Sequence, residues 1–375
     1  VDKHVLGYIP VINASTNTTN LYILFIFIKW ITKEMEKKFL SVLNGQVCKI
    51  PPVWLMRQAG RYLPEYRATR EKAGGFLDLC YNSDLSTEVT LQPIRRYDFD
   101  AAILFADILL IPHALGMDLW FESGEGPRLK GILDGFKITD LKHPTEVHEK
   151  LAPIYQTVRN LSVELPNKTA LIGFAGAPWT VGTYMVFGKG SKDHIEVKRY
   201  INDNKKDFDK LIDILVQATI EYLSAQIESG AEVIKIFDSW AGSLSGTDIN
   251  TYSFEPILAI AQALKKKHPQ VPIIAFPRGV GGGYEIFSKM DHISCIALDQ
   301  SVPPSWAKTL QNDIVIQGNL DPLLLVTGGA KLKNEVNHIL ENLMVKPFIF
   351  NLGHGITPDA NPDNVTKLLS YIRDQ

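Results

Sequence analysis

The sequence predicts an α/β fold in a single domain, a closed (β/α)8 TIM barrel. Three observations lead there. Eight short, mostly apolar runs recur between Val53 and Leu352, and near-continuous apolar character is what parallel strands covered on both faces require. Between several of them lie longer stretches with apolar residues at three- and four-residue spacing, the period of a helix that buries one face. No linker rich in Pro, Ser or Gly divides the chain, so the units belong to one body. An open, doubly wound sheet is the alternative. It calls for a GxGxxG turn between a strand and a helix, and the chain has none.

The runs are VWLM (53–56), AAILF (101–105), ALIGF (170–174), EVIKIF (232–237), VPIIAF (271–276), ISCIAL (293–298), DIVIQ (313–317) and PFIFNL (347–352). The clearest helical stretches are 208–227, 254–267 and 331–343. Ahead of the first run, MEKKFLSVLNG reads as an amphipathic helix with Phe39, Leu40 and Leu43 on one side. The glycine-rich RGVGGGY (278–284) lacks both dinucleotide-loop and P-loop spacing and reads as a flexible loop, with a phosphate cradle as its alternative.

Residues 1–34 differ from the rest, with a polar NASTNTTN and the apolar run LYILFIFI. Eight residues cannot span a bilayer, which needs about 20. Met35 is the expected natural start. The preceding segment is then a disordered leader or translated upstream sequence, and residues 35–375 are the barrel. A targeting peptide is the rival reading, so the expected location is cytoplasmic, or an organelle if the leader is native.

A net charge of -2 offers no global basic field for nucleic acid. Cys48, Cys80 and Cys295 form no CxxC pair, which favours a reducing compartment and gives no zinc signature.

In such a barrel the site lies where strands run out into the following loops. Arg57, Gln58 and Arg61 follow the first run, and Asp107 the second. Trp179 and Tyr184 follow the third, Asp238 and Ser239 the fourth, Arg278 the fifth, Asp299 the sixth and His354 the eighth. Each has a plain structural reading. Arg57 and Arg61 could pair with Glu65 on the surface. Asp107 or Ser239 could cap a helix. Tyr184 could be a core ring and His354 a satisfied loop histidine. Together they suit an anionic organic substrate, because arginines grip planar carboxylates. A single aspartate in apolar company suits cationic or N–H-rich atoms of the same molecule.

PVWLMRQAGRYLPEYR, DAAILFADILLIPHALGMDLWFESGEGP, GFAGAPWTVGTYMV, FDSWAGSLS, QGNLDP and NLGHGI occur in this order. The chain closely resembles the uroporphyrinogen decarboxylase family, in its bacterial form, from about Met35 onward. The resemblance implies a (β/α)8 barrel, a homodimer, no metal and no organic cofactor. It implies uroporphyrinogen III as substrate and coproporphyrinogen III as product, with neither nucleic acid nor stable membrane insertion. It implies catalytic roles for Asp107, Arg57 and Tyr184. Substrate contacts would come from Arg57, Gln58, Ala59, Gly60, Arg61, Asp107, Tyr184, Ser239 and His354. Tyr66 and Trp240 depart from residues frequent in the family. Two other functions compete: a zinc-dependent corrinoid methyltransferase of the same superfamily, and a non-catalytic tetrapyrrole carrier.

Overall fold

The structure is a computed structural model that describes residues 37–122, 126–191 and 193–374. The leader read into residues 1–34 lies outside the described residues. The chain forms β1 (Ala101–Ile103), β2 (Leu119–Glu122), β3 (Gly126–Leu129), β4 (Ala170–Gly176), β5 (Val233–Asp238), β6 (Ile273–Pro277), β7 (Cys295–Ala297), β8 (Val315–Leu320) and β9 (Phe348–Leu352). Seven of these make one parallel sheet, in the order β1-β4-β5-β6-β7-β8-β9. Every neighbour in the sheet is the next of its strands in the chain, so each link is a crossover that places helices outside.

The sheet closes through the first predicted run, but not as a strand. Val53 makes a single parallel bridge to Phe350. Phe350 N–H donates to Pro52 O at 2.9 Å on one side, and Asp100 N–H to Val53 O at 2.9 Å on the other. The ladder stops there because side chains take over. Leu55 N–H donates to Gln58 Oε1 at 3.1 Å and Met56 N–H to Asn351 Oδ1 at 3.1 Å. An N–H held by a side chain is not available to a neighbouring strand, so VWLM supplies the eighth position with one bridge.

The other seven runs are strands, offset by a few residues at their ends. β4, β5, β6, β8 and β9 are buried throughout, as their apolar composition requires. The long predicted helices are Lys205–Glu228, Glu255–Lys267 and Gly329–Leu343. The helix expected after Met35 runs from Lys38 to Leu43 and buries Phe39, Val42 and Leu43. Inside the barrel, Trp54 donates its indole N–H to Gln317 Oε1 at 3.0 Å. Phe174, Phe237 and Phe276 follow edge to face, with centroids 5.6 and 6.0 Å apart. No helix among the described residues is long and apolar enough to cross a membrane.

The hairpin of β2 and β3 is absent from the sequence pattern. It pairs Leu119 with Leu129 and Trp120 with Arg128. Leu129 N–H donates to Gly188 O at 2.8 Å, which fastens the hairpin to the end of the helix Pro178–Phe187. A Cβ at Gly131 would lie 2.7 Å from Gly188 N, so this crossing needs glycine.

Candidate active site

Arg57 leaves the closing segment in the left-handed region, at φ 62. For a residue with a Cβ this costs on the order of 1 kcal/mol, and such strain gathers where a side chain must be aimed. The side chain crosses Gly355, where an added Cβ would sit 2.4 Å from Arg57 Cδ and 2.9 Å from its Nε. It is open to the cleft, yet protein surrounds it closely enough that loss of solvation lowers its pKa. The charges of Asp107 and Tyr184 act to raise it, and those of Arg61 and Arg278 to lower it. One guanidinium thus senses groups from four separate strand ends.

The surface ion pair that could have explained these arginines is not formed. Glu65 is taken by Arg96, whose Nε and Nη2 donate to its two oxygens at 2.7 and 3.1 Å. Among the described residues, neither Arg57 nor Arg61 has a carboxylate ion pair. Gln58 is buried and serves the barrel seam. Its Oε1 accepts from Leu55 N–H and its Nε2 donates to Ala101 O at 3.2 Å. Ala59 and Gly60 form the half-buried turn between the arginines. A Cβ at Gly60 would lie 3.0 Å from Arg57 O.

Asp107 stands just beyond β1, partly accessible. Its Oδ1 accepts the Leu109 N–H at 2.8 Å, at the entry to the helix Leu110–Ala114. The capping expectation fails: the helix N-cap is Leu109, which Asp107 holds from the preceding turn, and Asp107 Oδ2 has no hydrogen-bond partner among the described residues. Burial raises the Asp107 pKa, while the Leu109 amide and the Arg57 charge oppose the rise. Cys80, Tyr81 and Tyr222 all sense its charge.

Tyr184 comes from the helix Pro178–Phe187 and lies over Gly190, where a Cβ would meet its hydroxyl at 3.2 Å. Burial raises its pKa, and Asp107 adds to this; the Trp240 side chain hydrogen-bonded to it and the Arg57 charge act the other way. Trp240, one of the two departures from the family pattern, is thereby a direct neighbour of Tyr184. Tyr66, the other, is buried against Phe105, with ring centroids 5.7 Å apart.

Ser239 follows β5 half-buried, and its hydroxyl caps no helix. The preceding Asp238 is a scaffold residue. It is fully buried and accepts from Thr180 Oγ1 and Ser253 Oγ, each at 2.5 Å. Burial pushes its pKa up to about 6. Asp299 is also committed to the scaffold, accepting from Gly279 N–H, Tyr284 OH, Ser301 N–H and Ser301 Oγ. Burial works to raise its pKa and is outweighed by these donors, so the net shift is downward. Its bond to Gly279 pins the start of the glycine-rich segment beside Arg278, and that segment runs into the helix Gly283–Phe287.

His354 lies between two glycines that permit close packing. A Cβ at Gly353 would fall 2.2 Å from Gln300 N. The imidazole ring rests near Phe276, with centroids 6.3 Å apart. Burial pushes its pKa down to about 3, helped by Arg57, Arg278 and Lys235 and opposed by Asp299. It is a neutral hydrogen-bonding group at any ordinary pH.

The strand ends therefore bring Asp107, Tyr184, Arg278 and His354 within electrostatic reach of Arg57. Arg61 joins through its effect on Arg57, and Ser239 lies next to Trp240. Arg278 stands at the rim in the sequence but outside the expected substrate contacts. Lys235 escapes sequence reasoning, since it reads as one polar residue inside an apolar run. A shallow depression lined by Leu91, Ile94, Arg95, Asp98, Glu164 and Pro166 lies toward the opposite ends of the strands and holds none of these groups. Among the described residues, no three or more His, Cys, Asp or Glu side chains are grouped to hold a metal ion.

Comparison with known proteins adds three findings. Residues 34–375 match the family model described as uroporphyrinogen decarboxylase (URO-D). The chain is 59% identical over 338 residues to the uroporphyrinogen decarboxylase of Ruegeria pomeroyi, covering 90% of this chain and 98% of that one. It is 56% identical over 339 residues to that of Paracoccus denitrificans, covering 90% and 99%. Among solved structures, a methyltransferase from Methanosarcina mazei matches with a TM-score of 0.74 at 17% identity, over 91% of this chain and 98% of that one. At that identity the likeness concerns the fold alone.

Proposed function

The chain belongs to the uroporphyrinogen decarboxylase family, and on that premise we propose that one carboxylate, Asp107, works beneath a set of arginines. The activity is that of a carboxy-lyase in haem biosynthesis. The four acetate carboxyls of uroporphyrinogen III leave as carbon dioxide, and coproporphyrinogen III remains. The observation that carries the proposed division of labour is the Asp107 carboxylate, half free of hydrogen bonds, beside arginines that have no carboxylate partners among the described residues.

A pyrrole acetate holds its carboxyl because the electrons released have nowhere to go. A proton added to the adjacent ring carbon makes the ring cationic. The bond to the carboxyl group then breaks, and its electron pair neutralises the ring. A proton delivered to the exocyclic carbon completes the methyl group, and the ring carbon returns its own proton. Asp107 would accept the pyrrole N–H groups and stabilise the ring most when it is cationic. That difference between ground and transition state is what accelerates a reaction. Arg57, Arg61 and Arg278 would hold acetate and propionate arms, with Ser239 and neutral His354 adding hydrogen bonds. Tyr184, beside Asp107, would steady the reacting arm. The same reading takes the enzyme to act as a cytoplasmic homodimer without a cofactor, on the family resemblance.

Anaerobic incubation with uroporphyrinogen III, then oxidation and chromatography, should give coproporphyrin by way of partly decarboxylated intermediates. Octacarboxylate that binds and stays intact would favour a carrier and overturn the reading.

Gly355→Ala tests the aim of Arg57. The added methyl meets a side chain rather than backbone, so the fold should survive with a melting temperature within a few degrees of the parent. Displaced by about 1 Å, the guanidinium should lose the carboxylate it holds, and kcat/KM should fall by roughly 10- to 100-fold. Unchanged kinetics would remove Arg57 from substrate contact.

A further inference from the structure

Lys235 is the least expected side chain in the barrel. It lies on β5, fully buried, with its register partners Phe174 on β4 and Ile274 on β6. Its Nζ sits over three aromatic rings, 4.8 Å from the centroid of Trp54, 5.0 Å from Phe237 and 5.3 Å from Phe276. It has no ion pair or hydrogen bond to any described residue. Such a cation is costly to maintain, since the aromatic faces return only part of its lost hydration. Phe276 neighbours both Lys235 and the cup: the same ring that faces Nζ is 6.3 Å from the ring of His354. The Lys235 side chain and His354 therefore share one aromatic neighbour, and His354 senses the Lys235 charge.

We propose that Lys235 is a positioning residue for the substrate, a buried amine that gains a proton as the tetrapyrrole's carboxylates bind and whose charge then holds them on the cup. This rests on the reading of the cup as a tetrapyrrole site. Among the described residues no carboxylate is paired with Lys235 to hold the proton on. The segments of β4 and β6 facing Lys235 carry no titratable residue. Cys295 on β7 is kept a thiol by burial, with its pKa pushed up to about 12. His354 is neutral, Arg57 and Arg278 beyond it are positive, and Asp299 is the one anion sensed at that position. Burial brings the Lys235 pKa down to about 7; a Cys295 thiolate would oppose this, but burial keeps that group protonated. A bound polyanion reverses the sign of the local field and favours the ammonium.

A unit charge acting across roughly 10 Å at an intermediate effective dielectric is worth about tenfold in affinity, or about one pKa unit. Linkage then fixes the pH dependence. Below about pH 7 the ammonium is present in both free and bound protein; between about 7 and 8 binding takes up a proton; above that it is lost from both. The KM of the parent protein should rise about tenfold across that interval, and that of Lys235→Met should stay flat at the higher level, with kcat within about threefold. The two should converge at high pH. Independently of any variant, adding coproporphyrinogen to the parent protein in weak buffer near pH 7.5 should take up about half a proton per site. A flat parent KM, a variant that keeps the rise, or no proton uptake would each overturn the role of Lys235 while leaving decarboxylation intact. Absence of decarboxylation by the parent protein would instead remove the reading on which the role rests.

Discussion

Asp107→Asn should lower kcat by about 100- to 1000-fold while leaving KM within a few-fold of the parent value. The amide has the shape of the carboxylate and its oxygen can still accept the Leu109 N–H. What disappears is the charge. An anion about 4 Å from a developing cation, at an effective dielectric near 20, is worth about 4 kcal/mol, which is roughly three orders of magnitude in rate. The amide also turns a donor toward pyrrole N–H groups that need an acceptor. Loss of fold is not the cause to expect, because burial already works against the charged form of Asp107. A group whose folded pKa is raised weakens the fold as pH rises through its unfolded value. Its removal should therefore leave stability at neutral pH equal or improved. Single-turnover rates at saturating substrate, together with a thermal melt, decide the matter. A variant that turns over at the parent rate would dismiss Asp107 as the stabilising anion.

Lys235→Met should make the protein more stable, by about 2–4 kcal/mol at and below neutral pH. The sign follows from proton counting. The folded pKa is about 7, and the unfolded value is about 10.4. Between them the unfolded chain binds more protons than the folded one, so parent stability rises with pH across that window. Below it the full penalty stands, roughly 4–5 kcal/mol for a shift of this size. Forfeiting the attraction between the ammonium and the three ring faces offsets part of the gain. A methionine of similar length fits the same ring faces through its polarizable sulfur. Denaturant titrations at about pH 6, 8 and 10 should show the advantage shrinking toward zero at the top of the range. A difference independent of pH would mean that the buried charge carries no such penalty. With the kinetic test, this makes Lys235 a trade of stability for binding, which is common where a site must meet a charged ligand.

Much of the site is readable from the chain. Asp107, Tyr184, Ser239 and His354 each follow an apolar run, and in a barrel the loops after the strands share one rim. The arginines are readable as candidates, but not their freedom. Glu65 stands at helical spacing from Arg61, yet it pairs with Arg96, 31 positions away, because the helices Pro64–Ala73 and Ser83–Tyr97 pack together. Gln58 falls among the expected substrate contacts, whereas its side chain is spent on the barrel seam.

The sequence by itself determined the alternation of strands and helices, and hence the barrel and the end of it that carries the polar groups. Apolar runs and helical spacing are local properties, and burial enforces them wherever the chain goes. Only the tertiary structure decided that the first run closes the sheet through a single bridge, that Asp238 is spent on the scaffold rather than the cup, and that Lys235 points inward. A strand covered on both faces hides its inward side in the pattern, because apolar residues line both. Which side a lysine takes depends on register and on the rings that surround it, and those come from other parts of the chain.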